Sequence, residues 1–177
     1  EFLEERDPDI LCLQETKVQD DLFPRNELEG RGYKLITYGQ KSYNGVAILS
    51  KESMQDIRLG FHGELGNADE LKIFDEQKRI ISALIDGVRV INVYVPNGSS
   101  IDSDKYIYKL NWLNHLKSYL NEQLKRNEPV CLLGDFNIAL EEKDIFNSKR
   151  FNNGIMASLK EREALLKIVE NKLEDVF

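Results

Sequence analysis

"RIISALIDGVRVINVYVPN", Arg79 to Asn97, is the stretch on which the fold turns. Two apolar, β-branched runs flank Asp86-Gly87, a dipeptide suited to a two-residue type I′ turn because both positions accept positive φ. The reading is a hairpin whose strands are apolar throughout, with no face left for water. Such strands need covering layers on both sides. The second strand then runs through Tyr94 and Pro96 to Asn97, so an apolar strand ends in polar chemistry.

The same ending recurs. "DILCLQE" (Asp9 to Glu15) reads as a strand buried on both faces that stops at Glu15. "VCLLGDFNIA" (Val130 to Ala139) carries an apolar run into Asp135, Phe136 and Asn137. Residues i and i+2 of an extended chain share a side, which places Asp135 and Asn137 together with Phe136 turned inward. Each ending alone is also an ordinary exit into a loop, since Gly, Asp and Asn are common turn residues. Brought to one sheet edge, they line a cleft with two carboxylates (Glu15, Asp135), two amides (Asn97, Asn137) and the Tyr94 phenol. That oxygen-rich set suits Mg²⁺ or Mn²⁺ rather than zinc. A hard cation beside a carboxylate that orients water is equipment for hydrolysing a phosphodiester.

Around this centre, Glu1 to Asp7 reads as the end of a helix stopped by Asp-Pro. "YKLITYG" and "GVAILSK" read as two strands joined by a polar loop containing Asn44-Gly45. Ser103 to Asn127 reads as one long helix with Tyr106, Leu110, Leu113, Leu116, Leu120 and Leu124 as its apolar stripe and Trp112 in the core. Ser158 and Glu161 form a capping box that opens a last helix running to about Lys172. Hairpins mixed with single helices predict an α/β fold: a four-layer α-β-β-α sandwich of two mainly antiparallel sheets with helices on the outer faces.

The 177 residues suit a single domain, and 41% hydrophobic with 31% charged residues excludes a disordered chain. A net charge of −7 argues against a general polyanion binder but leaves room for an enzyme with basic residues gathered on one face. No apolar run approaches bilayer length and no signal-peptide pattern opens the chain. Cys12 and Cys131 lie in apolar runs without disulfide or zinc spacing, which predicts buried thiols and a cytoplasmic setting. The chain opens at Glu1 partway through a helix and closes at "LEDVF", where a new strand is expected. It therefore reads as part of a longer protein, its sandwich incomplete at both ends.

"LQETK" (Leu13 to Lys17), "YNGVAILSK" (Tyr43 to Lys51), "NVYVPNG" (Asn92 to Gly98) and "LGDFNIA" (Leu133 to Ala139) stand in the order found in the exonuclease/endonuclease/phosphatase superfamily. With "DEQKRIISA" and "GIMASLKERE" beside them, the chain most resembles the exodeoxyribonuclease III and apurinic/apyrimidinic endonuclease family. The resemblance covers nearly the whole chain. It implies a Mg²⁺-dependent (or Mn²⁺-dependent) hydrolase of base-excision repair that cuts DNA at abasic sites and removes nucleotides 3′-to-5′. Its partner would be double-stranded DNA with abasic sites or 3′ ends, and the protein a monomer without membrane attachment.

Position by position, the resemblance makes Glu15 a metal ligand and Tyr94 the active-site tyrosine. Asp135 would handle the attacking water or the metal, and Asn137 the phosphate and the metal. Asn97 would contact the target phosphate, with Asn44 at the cleft edge. The family's first strand with its catalytic Asn, its Trp-rich DNA-contacting loop, a catalytic Asp and its closing Ser-Asp-His have no counterpart here. His62, assigned to a strand or turn, and His115, on the long helix, are not that histidine. This stretch alone is thus expected to be inactive. Two other readings stay open: a superfamily phosphatase acting on a phosphoinositide or lipid headgroup, and a module that binds DNA without turnover. Lys143, Lys149 and Arg150 are candidate DNA-backbone contacts or simply a solvated loop.

Overall fold

The computed structural model describes residues 2–66, 69–170 and 172–176. The chain forms two compact units, Glu1–Tyr94 with Arg126–Asp135, and Val95–Lys125 with Phe136–Phe177. The first contains α1 (Phe2–Arg6), β1 (Ile10–Gln14), α2 (Arg25–Glu29), β2 (Lys34–Tyr38), β3 (Val46–Ser50), β4 (Met54–Leu59), α3 (His62–Leu65), α4 (Asp69–Asp75), β5 (Ile80–Ile85), β6 (Val88–Tyr94) and β7 (Val130–Asp135). The second contains α5 (Asp104–Leu124), α6 (Ser148–Phe151) and α7 (Leu159–Val169).

The first unit holds the two sheets, in strand orders β1-β3-β2 and β4-β5-β6-β7. Every pairing is antiparallel except β6 with β7, which is parallel. The α/β fold of two mainly antiparallel sheets is therefore the one expected. The central hairpin closes at Asp86 (φ 47°) and Gly87 (φ 78°), both left-handed as a type I′ turn requires. Its register runs from Ile80↔Val93 to Ile85↔Val88.

Between the sheets, Tyr38, Val46 and Ile48 meet Ile81, Ala83, Ile85 and Val90. On the other face of the three-stranded sheet, Leu3 of α1 and Leu28 of α2 pack with Leu11, Leu35 and Leu49. Lying between two neighbours and two covering layers, β3 is buried at every residue. Polar side chains enter this interior as well. Asn92 of β6 is fully buried, donates to the Leu13 and Ala47 carbonyls at 2.9 and 3.0 Å, and accepts from Gln14 Nε2 at 2.7 Å.

Several local expectations are corrected. As a sheet edge, β1 is half-buried rather than buried on both faces. Cys131 is exposed on edge strand β7, whereas burial pushes the half-buried Cys12 thiol up to about 12. His62 opens helix α3 instead of lying in a strand or turn. Strand β4 and helices α3 and α4 were not anticipated, because "MQDIRL" alternates poorly: it is an edge strand with a register shift between Gln55 and Arg58.

In the second unit, the Ser103 hydroxyl caps α5 by accepting from Tyr106 N. The buried face of α5 contains most of the expected stripe and is wider than it. Tyr106, Leu113, Leu116 and Leu120 of that stripe are buried, as is Trp112, together with Lys109, Tyr119 and Gln123, while Leu110 and Leu124 are half-buried. Ser158 and Glu161 form the expected capping box of α7, which ends at Val169 rather than near Lys172. Residues 172–176 form no strand. Helices α5 and α7 meet through Tyr106 Oη and Ser158 Oγ at 2.7 Å and through Lys109 and Glu161. Among the described residues, no helix is long and apolar enough to cross a membrane.

Candidate active site

Parallel pairing makes Tyr94, the last residue of β6, the register partner of Asp135, the last residue of β7. The third strand end arrives from the other sheet. Glu15 leaves β1 with φ 53°, and its carboxylate lies near enough to the Tyr94 phenol for each group to act on the other's protonation. Lys17 Nζ lies 2.7 Å from the same carboxylate. Thus Glu15, Tyr94 and Asp135, expected at one edge, lie at adjoining strand ends of the first unit.

The turn carrying Glu15 is held against the loop before β3. Thr16 N donates to the Gly45 carbonyl at 3.2 Å and Lys17 N to the Asn44 carbonyl at 2.9 Å. Gly45 is required there: its φ is 92°, and a Cβ would fall 2.1 Å from Thr16 Oγ1. Asn44 is buried, with φ 49°, and its Nδ2 donates to Gln77 Oε1 at 3.0 Å. Asn44 therefore braces the turn that presents Glu15. On the other side of Tyr94, the Arg79 guanidinium sits 4.5 Å from the ring centroid and Nη1 donates to the Tyr94 carbonyl.

These neighbours set protonation. Lys17 beside Glu15 holds its carboxyl below the usual carboxylate range, against the opposing effect of burial, with Tyr94 and Arg79 acting in the same direction as Lys17. Burial, and then the Glu15 charge, push the Tyr94 phenol above its ordinary value. At neutral pH the edge thus presents an ionised Glu15 beside a neutral phenol.

Asn97 and Asn137 belong to the second unit and are tied together there. Asn137 Nδ2 donates to the Val95 carbonyl at 2.9 Å, and Asn97 Oδ1 accepts from Ser99 N at 3.1 Å. Lys109 Nζ donates to both main-chain carbonyls, at 2.7 Å for Asn137 and 3.3 Å for Asn97. The alternation argument for Asp135 and Asn137 fails, because β7 ends at Asp135 and Asn137 is left-handed at φ 49°. Lys109, Lys17 and Arg79 were not singled out from sequence. The available signal for Lys109 was a cation three residues beyond Tyr106 on the buried stripe. Of the candidate backbone contacts, Lys143 pairs with Glu141 at 2.9 Å and Arg150 lies over the Phe151 ring.

Among the described residues, no cluster of three His, Cys, Asp or Glu side chains forms a ready-made metal cage. Mg²⁺ does not require one, since it is commonly held by one or two carboxylates together with water and substrate phosphate. An ionised, part-exposed Glu15 at a strand end adjoining that of Asp135 is a donor set that fits such an ion and offers zinc neither nitrogen nor sulfur.

The sequence profile described as the Endonuclease/Exonuclease/phosphatase family matches residues 1–161. Exodeoxyribonuclease III of Haemophilus influenzae is 34% identical over 187 residues, spanning 99% of this chain and 67% of that protein. A 3′ phosphatase from Neisseria, solved as a variant bound to a product DNA hairpin, superposes with a TM-score of 0.87 at 37% identity, over 96% of this chain and 63% of that one. An AP endonuclease from Archaeoglobus fulgidus gives 0.86 at 38% identity, over 96% and 62%. The chain spans between about half and two thirds of the length of the relatives it matches. With its ordered motifs, its two-sheet fold and its polar strand ends, this chain belongs to the endonuclease/exonuclease/phosphatase family, among the exodeoxyribonuclease III and AP endonuclease relatives.

Proposed function

We propose that the full-length protein is a divalent-metal-dependent DNA hydrolase that cuts the backbone at abasic sites and trims 3′ ends, using Mg²⁺ (or Mn²⁺). The observation that carries this reading is the meeting of Glu15, Tyr94 and Asp135 at adjoining strand ends in a chain of this family. The relatives' names support it, since they include an exodeoxyribonuclease III and an AP endonuclease. The working form would be a cytoplasmic monomer acting on double-stranded DNA.

In this reading Glu15 and Asp135, with Asn137, hold the ion, which supplies positive charge against the phosphoryl oxygens when bound. Asp135 orients the attacking water and accepts its proton. Tyr94, kept neutral by burial and by Glu15, donates a hydrogen bond toward developing negative charge. The Asn97 and Asn137 amides donate to non-bridging phosphate oxygens, and Asn44 keeps the Glu15 turn in place.

A specific observation favours a second activity at the same residues: the Neisseria relative is a 3′ phosphatase. Removal of a 3′-terminal phosphate from DNA needs the same water, ion and phosphate donors. The test offers the full-length protein three substrates, each with Mg²⁺ and with chelator: a duplex with one abasic site, a duplex ending in a 3′-phosphate, and an inositol phosphate. The expected result is metal-dependent turnover of the DNA substrates alone. Turnover of the inositol phosphate without DNA cleavage would establish the headgroup-phosphatase alternative. DNA binding without turnover of any substrate would establish the binding module.

A further inference from the structure

Lys109 and Glu161 are both fully buried in the second unit and face each other at 2.5 Å. Removing two charges from water is costly, and an apolar pair of similar volume often serves stability as well or better. Packing alone does not call for a lysine at this position. An ammonium has three donor hydrogens, and the Lys109 Nζ has three acceptors: Glu161 Oε1, the Asn137 carbonyl and the Asn97 carbonyl. The Glu161 carboxylate is fixed independently, accepting from Met156 N, Ser158 N and Ser158 Oγ.

The two carbonyls belong to backbone that needs holding. Asn137 is left-handed at φ 49°, and Gly98, next to Asn97, has φ 90°. A Cβ on Gly98 would lie 3.1 Å from Lys109 Cδ, so the lysine stem runs directly against this turn. We infer that Lys109 is a positioning residue: its ammonium sets the main chain, and through it the side-chain amides, of Asn97 and Asn137, while Glu161 anchors the ammonium. The consequence for turnover rests on the phosphate-binding role proposed above for those two amides.

Lys109→Met and Glu161→Gln both break the ion pair, but only Lys109→Met removes the donor to the two carbonyls. A merely structural pair would make the two variants lose activity alike. In the full-length protein, assayed on abasic-site duplex with Mg²⁺ at matched folded fraction, the expected kcat of Lys109→Met is at least fivefold below that of Glu161→Gln. KM should stay within threefold, and Lys109→Arg, which keeps a cation beneath the carbonyls, should recover most of the loss. A kcat ratio smaller than fivefold overturns the inference. Should Lys109→Met not fold, the double variant Lys109→Met/Glu161→Gln leaves no buried charge behind and is read against Glu161→Gln by the same criterion. A second readout is independent of catalysis. Backbone amide exchange of residues 97–99 and 137–139 should rise in Lys109→Met and not in Glu161→Gln; an equal rise in both overturns the inference. A wild-type protein without DNA turnover would sink the proposed function, yet the exchange comparison would still decide the role of Lys109.

Discussion

The interior between the two sheets and the contact between α5 and α7 are both buried, but they are built from opposite chemistry. Between the sheets, Val46, Ile48, Ile81, Ala83 and Val90 bury apolar surface, and each large aliphatic there is worth about 1.5–3 kcal/mol over an exposed one. Asn92 is a polar exception, and it bonds across to Leu13, Ala47 and Gln14. Between α5 and α7, Lys109, Glu161, Ser158 and Tyr106 form a connected polar network. Dispersion and hydrophobic burial tolerate small shifts, whereas hydrogen bonds to charged groups fix direction as well as distance. The sheets thus supply a stable platform, and the polar network fixes the geometry of the loops carrying Asn97 and Asn137.

The largest effect expected anywhere in the molecule is catalytic. Asp135→Asn in the full-length protein should lower kcat on abasic-site DNA by about a thousandfold or more, near 4 kcal/mol of transition-state stabilisation, with an unchanged circular-dichroism spectrum. A loss below tenfold would remove Asp135 from the chemistry. Next comes this polar residue between the sheets. Asn92→Ala strips three hydrogen bonds from a buried position and should cost about 3 kcal/mol in urea unfolding. A cost under about 1 kcal/mol would mean that apolar packing alone joins the sheets.

In the second unit, Ser158→Ala removes the α7 cap together with the Tyr106 partner and should cost about 1–2 kcal/mol by the same measurement. The smallest effect is a displacement in pH. Lys17 is the main reason that the Glu15 carboxyl sits below its ordinary range. In Lys17→Met that support is lost and the Glu15 pKa rises toward its ordinary value, so protonation on acidification begins at a higher pH. The acid limb of kcat/KM should move upward; an unmoved limb would show that Glu15 does not govern it.

The sheet platform was largely legible in the sequence because its signals are periodic and local. Asp86-Gly87 between β-branched runs fixed the hairpin, and Ser158 with Glu161 marked the α7 start. Strand β4 escaped because an edge strand need not alternate, and its Arg58 and Asp56 belong to a charge cluster with Glu64 and Arg89. Glu15 and Asp135 were legible as strand endings, whereas the strand carrying Tyr94 was read as running on to Asn97 and stops at Tyr94. Their supports were not legible: no local pattern sets Lys17, Arg79 or Lys109 apart from the other cations, yet Lys109 is fully buried against Glu161. Asn137 misled for a related reason, since the alternation of an extended strand stops where Asp135 ends β7.

The central claim is that strand ends from both sheets work as one unit, and a double-mutant cycle on Glu15→Gln and Tyr94→Phe in the full-length protein tests it most directly. Read as kcat/KM on abasic-site duplex, the two substitutions should be non-additive by about 1 kcal/mol or more, as expected of neighbouring groups that act on each other's charge. Additivity to within about 0.3 kcal/mol would mean that Glu15 and Tyr94 act independently and would contradict the account.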